Sequence, residues 1–244
     1  MIYEPLIGIT CNYEPKTDPS KAAGVRQNHN YAECVANAGG LPVMIPLEGN
    51  PEALADRLDG LLIPGGNDIN PAIYGLALSE EELKDKSVTL IEDKRFEFER
   101  QLYTSMKRIG KPIFGICYGV QFINVLEGGS LYINIPTDVP ETLLHQWQGT
   151  AETSLHQINT TPNSLLAKIT LDEEFFGVSS HHQAIQNLGL NLFVSANAPD
   201  GIIEAIEGDG NSFLIGIQWH PERQPNSPIT LRLFEAFINA SRRS

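Results

Sequence analysis

Short apolar runs alternate with helically spaced apolar positions through the first half of the chain. Leu6–Thr10 reads as a buried strand. Residues 28–38 put Tyr31, Ala32, Val35 and Ala38 on one helical face, and Gly39-Gly40 ends that helix. Leu41–Ile45 is a second strand. Asn50-Pro51 opens a helix with a capping side chain followed by proline at the first helical position. Residues 61–63 form a third strand that runs into Gly65-Gly66. Ser79 with Glu82 three positions later reads as a capping box. A longer helix is expected over 91–107, and Lys111-Pro112 leads into the apolar strand Ile113–Ile116. This alternation predicts an α/β fold of three layers, a mostly parallel sheet with helices on both faces and right-handed crossovers. In such sheets the ligand crevice lies at the carboxyl ends of the strands. The later half is richer in strand, with runs near 175–179, 192–196, 202–206 and 213–219. Ser227-Pro228 starts a last helix expected to end at Arg242-Arg243, where cations suit the negative end of the helix dipole.

No internal repeat or low-complexity linker interrupts this pattern, so residues 1–244 are read as one domain. Hydrophobic residues are 41% and charged residues 19%, enough for a full core. The net charge of −13 argues against nucleic acid or an anionic membrane as the main partner, although a local pocket can differ in sign from the surface. No apolar run reaches the roughly 18 residues a membrane span needs. The first ten residues carry no basic region ahead of an apolar stretch. Cytoplasmic residence is therefore the default expectation, and a homodimer the default assembly. Cys11, Cys34 and Cys117 are odd in number and far apart, which fits neither a disulfide framework nor a close-spaced zinc pattern. One of them is then free to be a reactive thiol.

The stretch from Ile113 to Gly129, IFGICYGVQFINVLEGG, identifies which one. An apolar strand runs directly into Cys117, flanked by Gly115 and Gly119, and helical spacing follows. This is the cysteine counterpart of the nucleophile elbow, a sharp strand-to-helix turn that projects one side chain. At a helix N-terminus the thiolate is stabilised by unpaired amides and the dipole, and the N–H of Tyr118 is placed to stabilise an oxyanion. A buried core cysteine would fit the strand as well, so a second segment decides. IGIQWHPE, residues 215–222, is expected to be extended through His220-Pro221-Glu222, with proline keeping it from turning helical. Glu222 would then hold one imidazole nitrogen of His220 while the other faces a thiol.

GICYGVQ followed by WHPE resembles the glutaminase fold of class I glutamine amidotransferases, a flavodoxin-like α/β fold whose triad is Cys, His and Glu in that order. Within that superfamily the chain is most similar to the γ-glutamyl-γ-aminobutyrate hydrolase branch, the γ-glutamyl peptidases of polyamine breakdown. The similarity is carried by PLIGITC at the start, AGGLPVMIP at 38–46, LIPGGNDINPAIYG at 62–75, VLEGGSLYINIP at 125–136, SSHHQAI at 179–185 and PDGIIEAIE at 199–207. The resemblance implies Cys117, His220 and Glu222 as the catalytic triad and the N–H groups of the Gly65-Gly66 turn and Tyr118 as the oxyanion hole. It also implies Gly65, Gln121, His181 and His182 on the substrate side. From the residues alone, Gly65-Gly66 is equally an ordinary turn and Gln121 a helix side chain bonded to a nearby loop. His181-His182 is not expected to bind metal, since strand neighbours point to opposite faces and no cysteine or carboxylate cluster accompanies them. Asp93-Lys94-Arg95 is similar to a charged signature of the family, but reads as a solvated face with local ion pairs. Two positions depart from the branch. Tyr118 stands where arginine is common, as in the glutaminase of GMP synthetase, and Asn134 stands where aspartate is common.

The activity implied is hydrolysis of a small γ-glutamyl amide through a γ-glutamyl thioester, without cofactor or metal. Two alternatives remain at this point. One is a glutaminase that passes ammonia to a separate synthetase, since the chain stops about twenty residues after Glu222. The other is a non-catalytic member of the same fold, although such members typically lose the histidine or the acid.

Overall fold

The computed structural model describes residues 3–16, 20, 22–210 and 212–242. In chain order the elements are β1 (Leu6–Thr10), β2 (Asn12–Glu14), β3 (Gly24–Arg26), α1 (His29–Asn37), β4 (Leu41–Ile45), α2 (Pro51–Arg57), β5 (Gly60–Ile63), α3 (Glu80–Asp85), α4 (Asp93–Arg108), β6 (Ile113–Ile116), α5 (Tyr118–Leu126), β7 (Ser130–Tyr132), α6 (Ile135–Asp138), β8 (Leu155–Thr160), α7 (Leu165–Thr170), β9 (Glu174–Val178), β10 (Ala184–Asn187), β11 (Leu192–Asn197), β12 (Ile203–Gly208), β13 (Leu214–Ile217) and α8 (Pro228–Ala240). The caps expected from sequence are formed. Asn50 accepts from the N–H groups of Glu52 and Ala53, and Ser79 and Glu82 complete a reciprocal capping box.

Nine strands make one sheet in the order β4-β1-β5-β6-β13-β12-β11-β8-β9. The five strands from β4 to β13 pair in parallel. From β13 onward every pairing is antiparallel, which is how the strand-rich later half attaches. Side chains alternate across the sheet because the strand period is two. Leu61 and Ile63 of β5 therefore pack with Phe96 and Leu102 of α4 and Phe122 of α5, whereas Leu62 faces Val35 of α1 and Leu233 of α8. Phe114 sits edge-on to Phe213 and Phe234 and tilted against Phe237 on that second face. This is the expected three-layer α/β arrangement.

Three features differ from the sequence reading. The helix α8 stops at Ala240 with Ser241 as its cap, and Arg242 donates to the Tyr3 carbonyl instead of extending the helix. Arg243 lies outside the described residues. The segment after β13 is not extended through Glu222, because Pro221 begins a short 3-10 turn over Pro221–Arg223. Proline's fixed φ suits a first helical position, so it starts the turn it was expected to prevent. The charged run in α4 is also divided. Lys94 is partly exposed and pairs with Glu48, whereas Arg95 is 1% exposed and bonds Glu99, itself 0% exposed, at 2.9 Å. Helical spacing puts Arg95 and Glu99 on the inward face with Phe96 and Phe98, so their pair is a buried one.

Candidate active site

Cys117, the Gly65-Gly66 turn and His220 all follow the carboxyl ends of β6, β5 and β13, three neighbouring parallel strands. Cys117 joins β6 to α5 with φ 53° and ψ −106°, a strained conformation for a non-glycine residue. Its N–H donates to the Ile217 carbonyl at 2.8 Å, which fixes the elbow to β13. The glycines make this geometry feasible. A Cβ on Gly119 would lie 2.1 Å from the Ile63 carbonyl oxygen, so only glycine lets α5 descend onto β5. As the first residue of α5, Tyr118 has no intrahelical acceptor for its N–H, which stands beside the nucleophile.

His220 Nδ1 is 2.7 Å from Glu222 Oε1, and both side chains are buried. The 3-10 turn folds Glu222 back onto the ring that precedes it by two residues. His220 Nε2 is buried with no hydrogen-bond partner among the described residues, and it is close enough to Cys117 for the sulfur to act on it. Burial pulls the His220 pKa down, but Glu222 and then Cys117 outweigh it and raise it to about 10. The other two thiols are buried. Burial raises the Cys11 pKa, and burial together with Glu222 pushes Cys34 up to about 12. Both are thereby kept as thiols at neutral pH.

Behind the elbow lies a buried polar scaffold. Tyr31 accepts the Gly65 N–H at 3.1 Å, and its own pKa is raised by burial and by Glu222. That use of the Gly65 N–H leaves Gly66 as the member of the pair available to an oxyanion. Arg95 donates to the Pro64 carbonyl at 3.1 Å and the Gly65 carbonyl at 3.4 Å, bonds Asn12, and stacks 4.3 Å from the Tyr118 ring. Tyr118 in turn donates its hydroxyl to Glu99 at 2.7 Å. A Cβ on Gly66 would lie 2.3 Å from Arg95 Nη1, so the turn rests directly on the guanidinium. The tyrosine after the nucleophile is thus a lid on this ion pair. A polar cleft of about 490 Å³ opens beside Gly66, lined by Asn12, Glu14, Arg26, Asn67 and Arg95 among others.

The remaining sequence candidates are held by protein partners. Gln121 donates to the Gln183 carbonyl and to Gln218 Oε1, both at 3.1 Å. His182 Nε2 is 3.0 Å from Asp68 Oδ1, which ties the 179–183 segment to the loop after Gly66. His181 is 5% exposed, and its Nδ1 meets the Gln183 carbonyl at 2.9 Å. The two histidines do face different ways, but they lie in a loop, and the expectation that no carboxylate accompanies them is overturned. His182 meets Asp68, and His181 joins His145, His156 and Glu204 in a buried cluster. Asn134 donates to the Lys86 carbonyl at 2.9 Å and lies in the wall of the fold. Sequence reasoning missed Tyr31, Arg95, Glu99 and Asp68. For Arg95 the signal was present, because its spacing from Phe96, Phe98 and Glu99 puts it on the buried face.

Comparison with known proteins gives a consistent picture. The family model described as peptidase C26 matches residues 5–222. Protein NtpR of Enterococcus hirae is 33% identical over 241 residues, covering 96% of this chain and 98% of NtpR. The γ-glutamyl-γ-aminobutyrate hydrolase PuuD of Escherichia coli K12 is 30% identical over 226 residues, covering 86% of this chain and 84% of PuuD. The crystal structure of a Thermoplasma acidophilum protein assigned to GMP synthase shares the fold. It has a TM-score of 0.64 and 18% identity, over 99% of this chain and 96% of that one.

Proposed function

The chain belongs to the peptidase C26 family of hydrolases, and from that premise we propose that it cleaves the γ-glutamyl amide bond of a small molecule, with Cys117 as nucleophile, His220 as acid and base, and Glu222 as the group that orients the histidine. One observation carries the reading: a strained cysteine at a helix N-terminus stands beside a histidine whose far nitrogen is locked 2.7 Å from a buried carboxylate.

The raised pKa of His220 favours the protonated ring at neutral pH, next to the attacking sulfur. The Cys117 sulfur attacks the γ-carbonyl carbon, and the carbonyl electrons move onto oxygen, against the N–H groups of Gly66 and Tyr118. On collapse the C–N bond breaks and the departing amine takes the proton from His220. His220 then removes a proton from water, whose oxygen attacks the thioester carbon. The C–S bond breaks, glutamate leaves, and the sulfur and protonated His220 stand as they began. Gly65, Gln121, His181 and His182 line or brace the substrate side in this reading, and the polar cleft beside Gly66 has room for the amine portion. The activity for which PuuD is named supports γ-glutamyl-γ-aminobutyrate as the first substrate to try.

The test is side-by-side hydrolysis of γ-glutamyl-γ-aminobutyrate and free glutamine by the purified protein, with Cys117→Ala as control. Preference for the first substrate, lost in the variant, is the expected result. Turnover of glutamine only when a synthetase is added would replace this reading with ammonia delivery.

A further inference from the structure

We propose that His145, His156, His181 and Glu204, none of them part of the Cys117 centre, form a closed, four-ligand structural site for a divalent transition-metal ion of the zinc type. His145 Nδ1, His156 Nε2 and His181 Nε2 lie 3.3, 3.4 and 3.5 Å from the same oxygen, Glu204 Oε1. All four residues are buried, and no two of the donor atoms are more than 4.8 Å apart. In a tetrahedral zinc site with bonds of about 2.0–2.1 Å, neighbouring donor atoms are separated by roughly 3.3–3.4 Å. The three N···O edges therefore already have about the required length, and no histidine–histidine edge exceeds 4.8 Å.

The protons point to the same conclusion. Each histidine commits its other nitrogen elsewhere: His145 Nε2 to Asp200 Oδ2 at 2.9 Å, His156 Nδ1 to the Gln157 carbonyl at 3.0 Å, and His181 Nδ1 to the Gln183 carbonyl at 2.9 Å. These acceptors require N–H at those positions, so in the neutral rings the three inward nitrogens carry lone pairs. The three lone pairs converge on a carboxylate, and both Glu204 oxygens and all three inward nitrogens lack a hydrogen-bond partner among the described residues. Five buried, unsatisfied acceptor atoms facing one another are costly unless a cation lies between them. The outer bonds also have the form that orients metal-bound histidines, with Asp200 supplying a carboxylate–histidine pair. Four protein ligands leave no open position, which makes the site structural.

Topology explains what the ion would fasten. β8 pairs with β11 only through Asn159 and Thr160, so its first half runs past the end of β11. His156, paired with Gly177 of β9 but beyond the reach of β11 on the other edge, meets Glu204 of β12, and the loops carrying His145 and His181 close over them. The Gln183 carbonyl accepts from both His181 and Gln121, so the cluster braces the segment that bears His182 and contacts α5.

The untagged full-length chain, grown with zinc in the medium, should contain about one metal ion per chain by elemental analysis, and chelation should lower Tm by roughly 10 °C, reversibly on adding Zn²⁺. Co²⁺ added to the stripped protein should give the intense visible absorption of a tetrahedral ion. Glu204→Gln and His156→Asn should lose the ion, whereas Cys117→Ala should keep it. The wild-type readings stand even where a variant fails to fold. A stripped protein that takes up neither Zn²⁺ nor Co²⁺ and shows no change in Tm would overturn the proposal. So would an ion that survives in folded Glu204→Gln or disappears in Cys117→Ala.

Discussion

The molecule holds two histidine–carboxylate centres, at Glu222 and at Glu204, and they differ in where their free nitrogens point. At Cys117 a single ring is held by Glu222 through Nδ1, and its Nε2 is presented to a sulfur that can give up a proton. At Glu204 three rings are held from outside, and their free nitrogens converge on an atom that cannot donate. The first arrangement moves a proton between two groups. The second has no proton donor of its own and calls for a cation. Hydrogen-bond bookkeeping on each ring, more than the residue types, separates acid–base chemistry from metal binding.

The largest effect expected from breaking the first centre is that of Cys117→Ala. It should lower γ-glutamyl turnover about a hundred-thousand-fold in kcat while leaving Tm close to that of the parent, read by steady-state kinetics and thermal melting. Glu222→Gln should cost about a thousand-fold in kcat, because the ring loses the partner that sets its orientation and stabilises its charge. It should also change the pH profile. The raised His220 pKa stabilises the protonated ring, so its contribution to folding is complete below its ordinary 6.5 and is lost as pH rises through about 10. In the variant that loss should move to lower pH, and iodoacetamide labelling of Cys117 at neutral pH should slow. An unshifted labelling profile would mean that Glu222 does not tune the pair.

The scaffold beneath the elbow offers a smaller test. Arg95→Met strands Glu99 without its cation, and the loss should be about 3–5 kcal/mol by urea denaturation. A loss below about 1 kcal/mol would mean that the pair is replaceable, as exposed pairs are. The smallest effect is expected away from both centres. Asn50→Ala removes the cap of α2 and should cost about 1 kcal/mol with kcat unaffected.

What sequence by itself determined here is local in origin. The elbow at Cys117 was legible because strand, glycines and helix lie within a dozen positions, and the His220-Pro221-Glu222 run because the partners are two residues apart. Caps at Asn50 and Ser79, and the alternation that builds a three-layer α/β fold, depend likewise on neighbours along the chain. Other features were decided only by the tertiary structure. The contact of Arg95 with the Gly65-Gly66 turn, the use of the Gly65 N–H by Tyr31 and the pairing of His182 with Asp68 all join distant segments. The cluster at Glu204 is the extreme case. His145, His156, His181 and Glu204 span 60 positions without a recognisable spacing, and they meet where β11 ends and leaves the first part of β8 open on that edge. Spacing along a chain encodes contacts between near neighbours, whereas a site assembled from two strands and two loops is encoded in the sheet order, which no single segment carries.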